Sequence, residues 1–398
     1  MAKTRRRRAP KRVSPESEAK NSDRFAKLAK VTSALKNWRP AAEVLTKVRS
    51  VPTIFPQFDR ATRCGGYPIE RVTLIHGRSN EGKTLFAHGL GLSFLLRSHF
   101  YALIDAEFTT PEKWIRNLLR EQAENPGFIA KRPTSYEETV DSVRELVEAV
   151  WSAKNSGNLD NQTTALVAVD SIRKLVPKDF LANIAKQGAR GKKGSVDGYR
   201  GRGAQLKAKM NGEWLDELTP MLYRTGTALL MIGREVDKSG ADEWDRRKEE
   251  DWKLTGGKAI VFDSSLVGRI SRDAWLKDGD GPIVGERFKI RIWKTKIGGK
   301  DDKHVDAFFH TSNGLEHPEG FWRSRDVLDL ARFYDIISHT GGGWLKWGTF
   351  KKWQGERNAI KWLDANPEDL ERLEGECRDR FEGDDLEQQI ASIATEEK

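Results

Sequence analysis

Residues Gly77 to Thr84 read GRSNEGKT. Two glycines frame the run, a lysine follows the second, and a hydroxyl residue follows the lysine, which is the spacing G-x-x-x-x-G-K-[ST]. Glycines let a loop fold so that its backbone N–H groups converge on a phosphate. A helix starting at the lysine adds the positive end of its dipole. In that geometry Gly77, Arg78, Ser79, Asn80, Glu81 and Gly82 form the cradle, Lys83 reaches the β- and γ-phosphates, and the Thr84 hydroxyl ligates Mg²⁺. The spacing therefore implies ATP-type nucleotide binding with Mg²⁺.

Three acids stand where phosphoryl chemistry needs them. Asp170 closes the run LVAVD, a position from which a carboxylate holds Mg²⁺ through water. Its bland alternative is a capping Asp ahead of Ser171. Asp105 and Glu107 follow the run FYALID, and a carboxylate there orients the attacking water. By residue type the two are nearly even, and the reading favours Glu107.

These residues need a scaffold, and the chain supplies alternating strands and helices. Val72 to His76, Phe100 to Asp105, Leu166 to Asp170 and Ala228 to Ile232 are short apolar runs of buried-strand type. The stretch from Lys83 to about Ser98 is helical. Thr110 reads as an N-cap with Pro111 in the first turn, and Ser135 with Glu138 as a capping box opening a helix to about Ala153. A further helix is expected from Ala204. Such alternation predicts a parallel sheet with helices on both faces and ligands at the carboxyl ends of the strands. More strands are expected around Val267 to Ser271, Phe288 to Trp293 and Ala307 to His310. A first helix from about Ser22 sets Phe25, Leu28, Ala29, Val31 and Leu35 at helical spacing, whereas Pro40 to Ser50 reads equally as strand or linker. After Glu319 the pattern turns helical and tryptophan-rich, with Trp344, Trp347, Trp353 and Trp362 read as core and surface of a small domain.

Composition narrows the class. Of 398 residues 37% are apolar, and no run approaches the ~18–20 apolar residues of a membrane-spanning helix. The 13 Trp, 17 Phe and 6 Tyr exclude a chain disordered throughout. No signal peptide is read at the start, and Cys64 and Cys377 offer neither a disulfide framework nor a cysteine zinc site, so an intracellular, cytoplasmic protein is expected. The seven histidines show no metal-ligand spacing. Net charge is +10 and unevenly spread: seven bases and no acid in the first twelve residues, a net −9 from Asp364 to Lys398, and +12 between. A basic body implies a polyanionic partner. The end blocks read either as solvated tails or as a phosphate-gripping arm and an acidic brake.

The runs GGYPIERVTLIHGRSNEGKT, LIDAE, LVAVDSI, LTGGKAI, IWKTKI and WQGERNAIKWLDANP resemble, in order and spacing, the RecA family of strand-exchange ATPases, over roughly Phe25 to Phe381. The resemblance implies an α/β fold: a P-loop NTPase core of RecA type with a mostly parallel central sheet, an N-terminal helix and polymerisation segment, and a small α/β C-terminal domain. Implied boundaries are a basic tail (1–21), helix and polymerisation segment (22–50), core (51–318), small domain (319–382) and acidic tail (383–398). It implies that Glu107 activates water, that Trp114 stacks on adenine, that Lys294 and Lys296 reach a neighbouring subunit's ATP, and that Phe262 lies at the subunit interface. Trp114 also reads as an ordinary member of the apolar face with Ile115 and Leu118. Arg234 stands where the family has a γ-phosphate-sensing Gln; it could contact that phosphate, belong to an altered switch, or pair with Glu235. Two DNA-binding loops are implied. Residues 186–203 carry six glycines and six bases, with Arg190, Lys192, Lys193, Arg200 and Arg202 suited to phosphates and Tyr199 to a base; as a bare string the segment would be a linker. Residues 234–256 carry six bases and eight acids, leaving Arg246, Arg247 and Lys248 as contacts and Trp244 or Trp252 to insert. The implied activity is ATP-dependent pairing and strand exchange by a helical filament on single-stranded DNA, with double-stranded DNA as second substrate. The rivals are a ring motor on the same core and an ATPase that coats single-stranded DNA.

Overall fold

The computed structural model describes residues 48–182, 196–237, 252–254, 258–277, 280–297 and 305–396, with turns of helix between 24 and 33. For 196–205 and 382–396 the description is of the backbone. Arg190, Lys192, Lys193, Trp244, Arg246, Arg247, Lys248 and the segment 1–21 lie outside the described residues, as do the side chains of Tyr199, Arg200, Arg202 and Trp252.

The strands are β1 (Ser50–Val51), β2 (Tyr67–Pro68), β3 (Val72–Gly77), β4 (Phe100–Asp105), β5 (Phe128–Lys131), β6 (Ala165–Asp170), β7 (Ala228–Asp237), β8 (Trp252–Leu254), β9 (Leu266–Lys277), β10 (Ile283–Thr295), β11 (Val305–Ser312), β12 (Gly320–Phe321), β13 (Ile337–Thr340), β14 (Trp344–Trp347) and β15 (Lys351–Gln354). The helices are α1 (Pro56–Thr62), α2 (Lys83–Leu95), α3 (Glu112–Leu119), α4 (Tyr136–Asn155), α5 (Val196–Thr225), α6 (Lys258–Asp263), α7 (Arg323–Phe333), α8 (Glu356–Ala365) and α9 (Pro367–Glu396).

The central sheet runs β12-β11-β10-β9-β3-β7-β6-β4-β5, with β8 paired to β7. From β9 to β5 the neighbours are parallel, and β10, β11 and β12 extend the other side antiparallel. Every residue of β3 and β6 is buried, as apolar strands covered on both faces require. Val72 and Leu74 of β3, Leu229 and Met231 of β7 and Val267 of β9 face a core shared with Val143 and Val147 of α4 and Trp214, Leu215, Leu218 and Leu222 of α5. Behind the sheet's other face stands an aromatic stack: Phe55 on Phe309 at 4.8 Å and on Phe86 of α2 at 5.0 Å, and Phe309 on Phe288 at 5.0 Å between ring centroids.

Local expectations meet several corrections. The sequence reading begins a helix at Ala204, but α5 begins at Val196, so positions 199, 200 and 202 belong to a helix and not to a loop. Nucleation is unfavourable only once, so a helix anchored downstream by Trp214, Leu215 and Leu218 extends upstream through Gly198, Gly201 and Gly203 at modest further cost. The N-cap of α3 is Pro111, one residue after Thr110. Ser135 does cap α4, accepting from the Glu138 N–H at 3.1 Å, but the Glu138 carboxylate accepts from the N–H and hydroxyl of Thr134 at 2.7 and 2.9 Å. Only half of the reciprocal box is formed with Ser135. The backbone of α9 runs as helix to Glu396, through the segment expected as an acidic tail.

Arg49–Gly383 is one compact unit; Met1–Val48 with Asp384–Lys398 is the other. In the latter the helical turns between 24 and 33 expose Phe25, Leu28 and Val31. Within the former, α7, α8, the start of α9 and the antiparallel sheet β13-β14-β15 share a core of their own, including Val327, Leu345, Trp347, Trp353, Leu363 and Leu373. Trp347 and Trp353 are interior there; Trp344 and Trp362 are half-buried, beneath the ammonium groups of Lys352 and Lys351.

A buried clamp ties this segment to α1. Arg378 of α9 donates to Asp59 at 2.8 Å, to the Thr53 carbonyl at 2.8 Å and to Glu374 at 2.6 Å, while Asp59 also accepts from the Thr53 N–H and hydroxyl at 2.7 Å each. Burial pushes the Asp59 carboxyl up from 3.8 to about 6, against the pull of Arg378 and Thr53. Replacing Arg378→Ala strands a buried acid, and urea denaturation should register a loss of about 3 kcal/mol. Because Asp59 binds its proton more tightly folded than unfolded, its contribution is greatest below pH 3.8 and is lost as pH rises through about 6. Asp59→Asn should flatten the stability–pH curve across that interval.

Candidate nucleotide site

The phosphate loop turns from Gly77, the last residue of β3, to Lys83, the first of α2. Gly82 caps α2 with φ +88°, and Asn80 is also left-handed at +60°. A Cβ on Gly82 would sit 2.6 Å from the Phe288 ring, and one on Gly77 would collide with the Ile270 carbonyl. Both positions thus need glycine for space, and Gly82 needs it for conformation as well. The acid in the cradle, Glu81, is turned onto β9, where it accepts from the Arg272 N–H; Arg272 in turn donates to the Asn80 carbonyl at 3.2 Å.

Lys83 donates across the loop to the Arg78 carbonyl. Burial pushes its pKa down, Asp170 and Glu107 pull it up, and Arg234 pushes it down again. Thr84 Oγ1 donates to Asp170 Oδ2 at 2.5 Å. Burial drives the Asp170 carboxyl up to about 6, against the Thr84 hydrogen bond, with Glu107 and Asp105 adding to the rise. A hydroxyl and a carboxylate in contact, with a lysine beside them, form a hard oxygen donor set that fits a divalent cation carrying phosphates.

The acid that closes β4 and the one two residues beyond it separate. Asp105 is 2% exposed and occupied, accepting from the N–H groups of Thr109 and Thr110 at 3.3 Å each and from Arg132 at 3.1 Å. Glu107 is half-buried and accepts from the Ser171 hydroxyl at 2.5 Å, while its own N–H and that of Ala106 donate to the Asp170 carbonyl at 3.1 and 2.7 Å. The loop after β4 is thereby stitched to the end of β6.

Arg234 pairs in register with Gly77 across β3 and β7. Its chain neighbour Glu235 binds His76 and Arg269. Trp114 is half-buried on α3, edge-to-face on His88 at 5.2 Å, and Ile115 and Leu118 beside it are buried. Lys294 donates to the carbonyls of Val261, Phe262 (2.9 Å) and Ser264 (3.0 Å), and Lys296 to that of Phe262 (2.7 Å). Both lysines thus cap the carboxyl end of α6, whose Phe262 side chain is 65% exposed. Gly77 to Thr84, Glu107, Asp170 and Arg234 gather at one sheet edge. Lys294, Lys296 and Phe262 form a second group. Sequence reasoning passed over Ser171, Arg132, Arg272 and Arg269. For His76 a signal existed: a polar residue at an inward position of an otherwise apolar strand.

A phosphate loop between parallel strand and helix, with its lysine and hydroxyl against a strand-end acid, defines a P-loop ATPase core. A family model, the RecA N-terminal domain, matches residues 39–311, and the chain belongs to the RecA family. Protein RecA of Aquifex pyrophilus is 27% identical over 333 residues, 84% of this chain and 83% of that one. Protein RecA of Haemophilus ducreyi is 28% identical over 331 residues (83% and 77%), and that of Geobacter sulfurreducens 26% over 339 (85% and 88%). The chain is accordingly an ATP-binding, DNA-binding protein of recombinase type. No described helix is long and apolar enough to cross a membrane.

Gly82→Ala should weaken binding of a fluorescent ATP analogue about tenfold, since a left-handed alanine costs ~1–2 kcal/mol before any clash with Phe288. The melting temperature reports whether the fold itself has suffered.

Proposed function

We propose that this protein polymerises on single-stranded DNA as a helical filament and catalyses homologous pairing and strand exchange with double-stranded DNA, driven by Mg²⁺-dependent, DNA-stimulated ATP hydrolysis. The observation that carries the reading is the convergence of Lys83, Thr84, Asp170 and Glu107 at the edge from which the β7–β8 hairpin departs, with Arg234 at its root. It would act in the cytoplasm on DNA, with 51–318 as ATPase core, 22–50 for polymerisation, 319–382 as a small domain for incoming duplex, and the ends 1–21 and 383–398 as charged tails.

In this reading Thr84 and Asp170 hold Mg²⁺, which supplies charge neutralisation at the β- and γ-phosphates. The loop N–H groups and Lys83 fix the phosphates. Glu107, its free rotation limited by the Ser171 hydroxyl, accepts the proton of the attacking water. Arg234 contacts the γ-phosphate by charge-assisted hydrogen bonds. Trp114 offers a flat apolar face to the base. Lys294 and Lys296 exchange the α6 carbonyls for a neighbouring subunit's phosphates, with Phe262 at that interface. Self-association is further supported by β5, which ends the sheet, pairs with β4 alone among the described strands and exposes Ile129, and by the exposed stripe Phe25, Leu28 and Val31. Arg190, Lys192, Lys193, Tyr199, Arg200, Arg202, Arg246, Arg247 and Lys248 are the proposed DNA contacts.

The test is ATP turnover with and without single-stranded DNA, joined to joint-molecule formation and negative-stain images. Stimulated turnover, open filaments and joint molecules are expected. Closed rings coupled to unwinding would mark a motor, and filaments without exchange a coating protein. Glu107→Gln should lower kcat about 10²–10⁴-fold and leave nucleotide affinity within about threefold.

A further inference from the structure

One turn along α2 from Thr84, and on the same face, stands His88. Its imidazole is fully buried, and burial pushes its pKa from 6.5 down to about 3, so the ring is neutral. Nδ1 lies 2.8 Å from the hydroxyl of Tyr101 on β4, which is also fully buried. Among the described residues that hydroxyl has no other partner, and the Nε2 of His88 has none. A phenol that only accepted would bury its own proton unpaired. The hydroxyl therefore donates to Nδ1, and the imidazole proton sits on Nε2.

The Tyr101 ring has no room to turn. It stacks on Phe128 of β5 at 5.3 Å between centroids with 10° between planes. It also lies so close to the backbone of α2 that a Cβ on Gly91 would collide with it. His88 is thus held in one tautomer by a fixed partner. Among the described residues the other ring packed on His88 is that of Trp114 on α3, at 5.2 Å and 78°. This edge-to-face arrangement suits an N–H pointed at a π-face. Trp114 is half-buried, so part of the indole rests on the interior and part stays open.

We propose that His88 is a positioning residue: its Nε2–H, directed by Tyr101, holds the plane of Trp114 so that the indole is presented flat to the base of the nucleotide. The proposal rests on the reading of Trp114 as the base-stacking face. In that reading Lys83, Thr84 and Asp170 deal with the phosphates and their cation, so His88 bears on the base end of the ligand alone. An indole free to change rotamer would lose that freedom each time a base bound. A ring already held has less to lose.

The experiment uses full-length protein with Mg²⁺ and without DNA, and calorimetry compares a non-hydrolysable ATP analogue with inorganic tripolyphosphate. Their affinity ratio reports what the nucleoside adds. Trp114→Ala should cut the ratio about tenfold, the loss of one stacked base. His88→Leu should cut it about threefold, with tripolyphosphate affinity kept within about twofold. Made in the Trp114→Ala background, His88→Leu should change the ratio by less than about 1.5-fold, because a residue that acts through Trp114 has nothing left to act on. An unchanged ratio in His88→Leu, an equal loss in the Trp114→Ala background, or a parallel loss of tripolyphosphate binding would each overturn the proposal. Leucine leaves the Tyr101 hydroxyl buried without a partner. Should that variant fail to fold, His88→Leu combined with Tyr101→Phe removes both ends of the bond at far smaller cost. The same threefold loss is expected there, and a full ratio overturns the proposal. An unchanged ratio in Trp114→Ala would instead sink the base-stacking reading, and the proposal with it.

Discussion

Parallel pairing obliges strands to end on the same edge, and the whole site hangs on that constraint. In the order β3-β7-β6-β4, Gly77 pairs with Arg234 and Asp170 with Asp105, the second pair two residues short of the first along the strands, with Glu107 two residues beyond Asp105. Strand spacing of ~4.8 Å then sets the distances among phosphate loop, acid and candidate base. An acid such as Asp170 is expensive to bury ionised, and its carboxyl is accordingly driven up to about 6. The Thr84 hydroxyl and the charge of Lys83 offset part of that penalty, so the contacts that bring these groups together also make burial of the carboxyl tolerable.

One long strand links this edge to the rest of the molecule. Phe288, in the middle of β10, presses on Gly82 and stacks on Phe309, so the phosphate loop is shaped from behind by aromatic packing. Five residues on, Trp293 enters the buried His76–Glu235 network, and Lys294 caps α6. At its start, Val284 sits in the core shared by α7, α8 and β13-β14-β15. Along its length β10 thus touches the phosphate loop, the root of the β7–β8 hairpin and the C-terminal segment.

The core strands were legible because VTLIH, FYALID, LVAVD and ALLMI are apolar runs too short for helices, and parallel strands buried on both faces need nothing else. The cradle was legible because glycine, lysine and hydroxyl spacing is itself the chemistry. Less could be read where context overrides composition. Glycines and bases between 196 and 203 argue for a loop, yet the helix is secured by apolar residues after position 210. The hydrogen bonds that engage Asp105, from Thr109, Thr110 and Arg132, have no spacing that announces them. Likewise Glu235 meets Arg269 only through strand order, which no local pattern encodes.

Lys294 and Lys296 show how a resting contact bears on the proposed assembly. Each ammonium has three protons, and in this chain they satisfy carbonyls at the end of α6 that would otherwise lack partners. A role at a neighbour's phosphates draws on the same protons, so the two engagements compete. Phosphate wins on charge, since hydrogen bonds between ionised groups are roughly twice as strong as neutral ones. Winning, however, leaves the Val261, Phe262 and Ser264 carbonyls to find water or to shift. In the proposed assembly the helix end that would adjust is the one bearing the exposed Phe262, so a neighbour's nucleotide would bear on the surface proposed to meet that neighbour.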